Sequence, residues 1–146
     1  MHSFRDRIFA MARGEEPPPP IADTIGFRIT AASEGQVTME LDTHERLYNA
    51  VGTLHGGVFC DVADAAMGLA FGTTLDQPGD SFTTVELKIN YLKPVWKARL
   101  RIVGRVVKRG STLGLTEADV LDADGKLVAR ASSTCMVLRG DKATGR

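Results

Sequence analysis

Apolar and polar positions change their period twice along this chain. Phe4, Ile8 and Met11 recur at helical spacing, which predicts a short amphipathic helix from His2 to Arg13. Gly14 and the run Pro17-Pro18-Pro19-Pro20 end it and read as a stiff extended spacer, with no wider proline-rich motif around it. From Phe27 the period shortens to two. Phe27 to Ala31 and Gln36 to Leu41 read as a hairpin around Ser33-Glu34-Gly35, with Val37, Met39 and Leu41 alternating with polar partners. His44 to Leu54 is a loop that leads into a second helix, from about Gly56 to Leu75, before Pro78-Gly79. Its residues are so uniformly small or apolar (Val58, Phe59, Val62, Ala63, Ala65, Ala66, Leu69, Ala70) that burial nearly all round is expected. Gly68 and Gly72 weaken such a helix by about 1 kcal/mol each relative to Ala, which makes sense where another backbone packs closely.

Strand-period segments follow: Ser81 to Leu92, Ala98 to Arg109, Leu113 to Asp122 and Lys126 to Leu138. Lys93-Pro94, Arg109-Gly110-Ser111 and Asp124-Gly125 separate them, the last being the dipeptide of a tight primed hairpin turn. Along Ala98 to Arg105, Ala98, Leu100 and Ile102 alternate with Arg99 and Arg101, giving one dry and one wet face. Together these elements predict an α+β fold: an antiparallel sheet of five or six long strands curled around one buried helix. Residues 1–20 are the N-terminal helix and spacer, 21–139 the domain, and 140–146 a disordered tail.

Composition narrows the partners. Eighteen acids balance eighteen Lys and Arg in 146 residues, so no global charge favours nucleic acid or an acidic membrane surface. No stretch has the length of a signal peptide or a membrane span, and a cytoplasmic location is expected. Cys60 and Cys135 lack metal or redox spacing and read as buried free thiols. His2, His44 and His55 show no ligand spacing, and neither a metal nor a cofactor is expected.

The chemistry concentrates in Asn49-Ala-Val-Gly-Thr-Leu-His55-Gly56-Gly57 and in Asp64. Glycine amides opening a helix have no intrahelical partner and favour developing negative charge, although Gly-Gly also suits a simple tight turn. His55 suits an orienting or capping role. Asn49 suits either loop structure or catalysis. Asp61 falls in the early helix turns, where an exposed acid complements the macrodipole. Asp64 sits among alanines, and a carboxylate held there is a candidate general base or nucleophile. Gly57 and Asp64 lie seven residues apart, roughly 10 Å along a helix, whereas a base must come within about 3 Å of the group it serves. One helix therefore cannot easily supply both parts of one site. Either the two are unrelated, or Gly57 of one subunit works with Asp64 of another in an obligate dimer.

The pattern Asn49-x5-His55-Gly56-Gly57-x6-Asp64, the later Thr83-Thr84-Val85-Glu86-Leu87-Lys88-Ile89-Asn90-Tyr91 and the ending Ala131-Ser132-Ser133-Thr134-Cys135 resemble the hotdog-fold acyl-CoA thioesterases, most closely the phenylacetate-degradation (PaaI) type. The resemblance spans about residues 20–138. It implies homodimers that commonly pair into tetramers, and hydrolysis of an acyl-CoA to a free acid and CoA. It also implies a role for each matching residue. Asp64 would be general base or nucleophile and Gly57 the oxyanion-binding amide beside His55. Asn49 would orient the nucleophilic water or hold the loop, and Thr84, with Thr83 next to it, would bind water. Base and oxyanion hole would come from different subunits. For the CoA phosphates, Lys108, Arg109, Gly110 and Ser111 offer cations and amides in one turn, which equally suits a solvated hairpin tip. Phe59, Met67 and Phe82 are candidates for the acyl pocket or for plain core. A hydratase or dehydratase on the same fold, and a non-catalytic acyl-CoA-binding module, are the alternative functions.

Overall fold

In a computed structural model that describes residues 3–144, nearly every apolar residue that alternates along a strand turns toward a single helix. The elements are α1 (Phe4–Ala12), α2 (Pro20–Ile25), β1 (Phe27–Ser33), β2 (Gln36–Asp42), α3 (Gly56–Gly72), β3 (Ser81–Tyr91), β4 (Arg99–Arg109), β5 (Leu113–Leu121) and β6 (Leu127–Leu138). The strands form one antiparallel sheet in the order β1-β2-β4-β5-β6-β3. All six touch α3, so the sheet wraps around the helix in the hotdog arrangement. Val37, Met39, Leu41, Leu100, Ile102, Val120 and Val128 point inward without solvent exposure and meet Val58, Val62, Ala66 and Ala70. No helix among the described residues is long and apolar enough to cross a membrane.

Several boundaries differ from the sequence reading for identifiable reasons. His2 lies outside the described residues; α1 begins at Phe4, with Ser3 and Asp6 forming a reciprocal capping box. Pro20 does not merely space. It opens α2, since proline at the first helical position has its φ preset and no amide that needs an acceptor. α3 stops at Gly72, three residues early, because the Thr73 and Thr74 hydroxyls donate to the Ala70 and Phe71 carbonyls. The Asp124-Gly125 turn is not a primed two-residue turn. Asp122 pairs with Lys126 around three residues, Gly125 alone has positive φ (77°), and the Asp122 carboxylate accepts from the Asp124 and Lys126 amides. Where disorder is expected, Gly140–Ala143 form a 3-10 turn whose last carbonyl accepts from the Ser81 hydroxyl, while residues 145 and 146 lie outside the described residues.

Two expectations about α3 change. It is not covered all round: Gly57, Cys60, Asp61, Asp64 and Ala65, one stripe at helical spacing, stay exposed or half-buried in the single chain. The Gly68 and Gly72 surfaces meet side chains and not another backbone. A Cβ at Gly68 would lie 2.9 Å from the Phe82 ring, and one at Gly72 would lie 2.6 Å from Ile8 and 2.8 Å from Phe4. The backbone-to-backbone approach occurs elsewhere. A Cβ on Gly104 of β4 would lie 2.3 Å from the Ala66 carbonyl oxygen.

Gly104→Ala must therefore force helix and strand apart, and a loss of about 3 kcal/mol is expected in urea denaturation. Gly79→Ala, with no atom within 4 Å of the added carbon, should change stability by less than about 0.5 kcal/mol.

Candidate functional site

The loop before α3 is built by its own side chains. The Asn49 Oδ1 accepts from the Val51 (3.0 Å) and Thr53 (3.2 Å) amides, and its Nδ2 donates to the Thr53 hydroxyl at 3.1 Å. Asn49 thus closes the loop in an Asx-type turn. His55 is the N-cap of α3, and its Nδ1 accepts from the Gly57 amide at 2.8 Å. An accepting Nδ1 requires a neutral imidazole with its proton on Nε2. The Gly57 amide is consequently satisfied in this state, while that of Gly56, at the first helical position, has no acceptor among the described residues. Asn49, Gly56, Phe59, Tyr91 and Lys93 line a cavity of about 420 Å³ at this end of the helix.

Asp64 is half-buried two turns further on. The Thr84 hydroxyl of β3 donates to its Oδ1 at 2.8 Å. Asp64 and Thr84 border two cavities, of about 310 and 300 Å³, and neither shares a lining residue with the cavity beside Asn49 and Gly56. Asp61 borders both as well. It lies beyond the first helical turn, so the macrodipole does not explain it. Partial desolvation, followed by the nearby Asp64 charge, pushes its carboxyl above the ordinary range. The pairing of two acids at i and i+3 on one helix face was the signal for it in the sequence.

The candidate CoA-phosphate turn lies at the other end of α3. Arg109 folds inward, its guanidinium 5.0 Å over the Phe71 ring with Nε donating to the Thr74 hydroxyl at 3.1 Å and one Nη to the Gly110 carbonyl. The Gly110 amide donates to the Leu113 carbonyl and the Ser111 carbonyl accepts from Arg139. Lys108 is left as the outward cation of the turn. Met67 is fully buried in the core with Ala63, Ala118 and Ala131, whereas Phe59 and Phe82 each border a cavity.

Residues 51–129 match the family model of the thioesterase superfamily. The chain belongs to that superfamily. Its reaction class is thioester hydrolysis. Human acyl-coenzyme A thioesterase 13 is 32% identical, over 73% of this chain and 76% of that protein. The crystal structure of a phenylacetic acid degradation-related protein from Ralstonia eutropha is 31% identical with a TM-score of 0.79, covering 88% of this chain and 98% of that one. The E. coli PaaI protein shares the fold, with a TM-score of 0.81 at 19% identity and 94% and 98% coverage.

Two features of this thioesterase escaped the sequence reading. Behind Asp64 a file of buried groups runs through the sheet. Thr84 pairs with Cys135 across β3 and β6, the Cys135 thiol lies 3.8 Å from the Ser133 hydroxyl, and Ser133 meets Thr116 at 2.5 Å. Burial pushes the Cys135 thiol up, opposed by hydrogen bonds with Ser133, Thr116 and Thr84. Cys60, by contrast, is not buried. Its thiol lies 3.4 Å from the Tyr91 hydroxyl, which donates to the Gly56 carbonyl at 3.0 Å and so braces the first turn of α3.

The hydrogen bond to Cys60, with partial burial, pushes Tyr91 up to about 12 from an ordinary 10.0. The folded state holds this proton more tightly than the unfolded chain. The associated stability is therefore complete below about pH 10 and lost as the pH rises toward 12. In a phenolate absorbance titration one of the two tyrosines should ionise late. Tyr91→Phe should delete that step, and Cys60→Ala should move it to lower pH.

Proposed function

We propose that this thioesterase hydrolyses an acyl-CoA to a free acid and CoA at sites shared between two copies of the chain. Asp64 of one copy would act with the Gly57 amide of the other. The observation that carries this reading is the division of the parts. Within one chain Asp64 and Thr84 border one pair of cavities, Gly56 and Asn49 border another, and no residue lines both. Gly57 and Asp64 both lie on the uncovered stripe of α3, and β3 is an edge strand of the sheet. A symmetric dimer across that edge would bring each Asp64 toward the partner's helix mouth. The relatives named for acyl-CoA thioester hydrolysis support the substrate class.

In this mechanism the thioester oxygen takes the Gly57 amide hydrogen from His55 Nδ1. Water held near Asp64 attacks the carbonyl carbon while the Asp64 carboxylate accepts its proton, or the carboxylate attacks directly and water then releases the acid. The tetrahedral oxyanion is stabilised by the oriented amide. Collapse breaks the C–S bond, and the departing CoA thiolate takes up a proton. Thr84 donates to Oδ1 and leaves Oδ2 for the reacting water. Asn49 holds the loop that carries His55, and Lys108 is the one cation of its turn available to the CoA phosphates.

Free thiol release from aryl, short-chain and long-chain acyl-CoAs tests the reading. Asp64→Asn should lower turnover by about 10²- to 10⁴-fold. Turnover undiminished in that variant would remove Asp64 from the mechanism, and tight acyl-CoA binding without any thiol release would favour a binding module. Gly57→Pro removes the amide hydrogen and displaces the His55 imidazole, whose Nδ1 lies 2.9 Å from where a Cβ would sit, so its folding is checked by thermal melting. Mixing it with Asp64→Asn should restore about a quarter of wild-type activity in randomly exchanged dimers, and no recovery despite exchange would refute the shared site.

A further inference from the structure

The peptide unit that joins Gly56 to Gly57 is gripped at both of its polar ends. His55 Nδ1 accepts from its N–H at 2.8 Å, and the Tyr91 hydroxyl donates to its carbonyl at 3.0 Å. Both grips are tight against the backbone. A Cβ on Gly57 would lie 2.9 Å from His55 Nδ1, and one on Gly56 would lie 3.0 Å from the Tyr91 hydroxyl oxygen. Each glycine leaves space for the side chain that holds its end of the peptide.

We infer that Tyr91 is a positioning residue for the thioesterase reaction, one that fixes the Gly56–Gly57 peptide and polarises the Gly57 amide toward the oxyanion. Its role rests on Gly57 being the oxyanion donor proposed above, and adds a residue of the sheet to that site. Counting protons orders the contacts. The Tyr91 hydroxyl has one hydrogen, and it goes to the Gly56 carbonyl. Toward Cys60, whose sulfur lies 3.4 Å away, the phenol oxygen must then accept, which makes the thiol the donor. The donors run one way, from the Cys60 thiol to the Tyr91 hydroxyl to the Gly56 carbonyl, whose peptide partner is the Gly57 N–H. Hydrogen bonds linked head to tail strengthen one another. Drawing electron density onto the Gly56 oxygen makes the Gly57 N–H a better donor. A developing oxyanion gains more from that than the neutral His55 imidazole does, so the transition state benefits more than the resting state.

The phenol is well held for this task. Tyr91 is the last residue of β3 and pairs with Ala129 of β6. Its ring meets the buried Phe59 edge to face, with centroids 5.7 Å apart. Ring packing does not need the hydroxyl, and at 54% exposure burial does not force it onto the peptide either. β3 thus serves both parts of the chemistry, with Thr84 on the acid and Tyr91 on the amide.

The test is Tyr91→Phe in the full-length protein, which keeps the ring and deletes the hydroxyl alone. Removing an oxyanion donor outright costs about 10²- to 10³-fold in kcat, and one polarising link is worth about 10–30% of a hydrogen bond. For whichever of phenylacetyl-, hexanoyl- and hexadecanoyl-CoA the wild type hydrolyses fastest, kcat should therefore fall roughly 2- to 8-fold, with KM changed less than about twofold. Gly56→Ala keeps Tyr91 but presses on its hydroxyl, and should also lower kcat. The double variant should lose no more than the worse single one, because both changes act on one bond. A Tyr91 that only supports the fold would lower the melting temperature and leave kcat per folded molecule unchanged. Unchanged kcat in Tyr91→Phe, or losses that multiply in the double variant, overturns the role of Tyr91 and leaves Asp64 and Gly57 untouched. Absence of hydrolysis by wild type overturns the proposed site and the role of Tyr91 with it.

Discussion

The contact between Gly104 and the Ala66 carbonyl sets the depth at which α3 lies in the sheet. With no Cβ between them, helix and strand backbones touch, and Met67 fills the core beside that contact with the small residues Ala63, Ala118 and Ala131. At about 100° per residue, pinning Ala66 inward turns Asp64 about 200° away. The same contact that closes the core therefore places the acid on the one stripe that the sheet leaves uncovered.

The sheet's two faces explain why the candidate site lies on one side. Inward positions are consumed by α3. Outward ones carry a ladder of ion pairs, with Arg105 on Glu117 and Asp119, Arg130 on Asp119, and Arg28 and Arg99 on Asp42. Exposed pairs of this sort add little stability, typically 0 to about 1 kcal/mol each, but they keep that face wet. What is left for chemistry is the uncovered stripe of α3, the edge strand β3 and the N-terminal segment beside them.

The strands and α3 were legible because alternation and helical spacing report which side of each residue is buried. α2 was not, since a six-residue helix begun by the last of four prolines has no period to show. The separation of Gly57 from Asp64 was legible as arithmetic on helical rise. The cavity beside Asp64 was not, because Pro19, Ile21, Gly68 and Phe82 meet only through folding. Thr84 could be singled out through family resemblance alone, as nothing in a strand of alternating residues says which hydroxyl faces a carboxylate. Cys60 looked like core because its neighbours Phe59 and Val62 are, yet one residue of rotation brings it to Tyr91.

The imidazole on the Gly57 amide has a consequence for any small molecule aimed at this end of the helix. Such a compound does not find a bare donor or a loosely held water there. It meets an intramolecular rival, tethered two residues away and already well placed. Its measured affinity is therefore a difference between two acceptors. A carbonyl or carboxylate inhibitor designed for this position must out-compete a nitrogen that the chain itself provides.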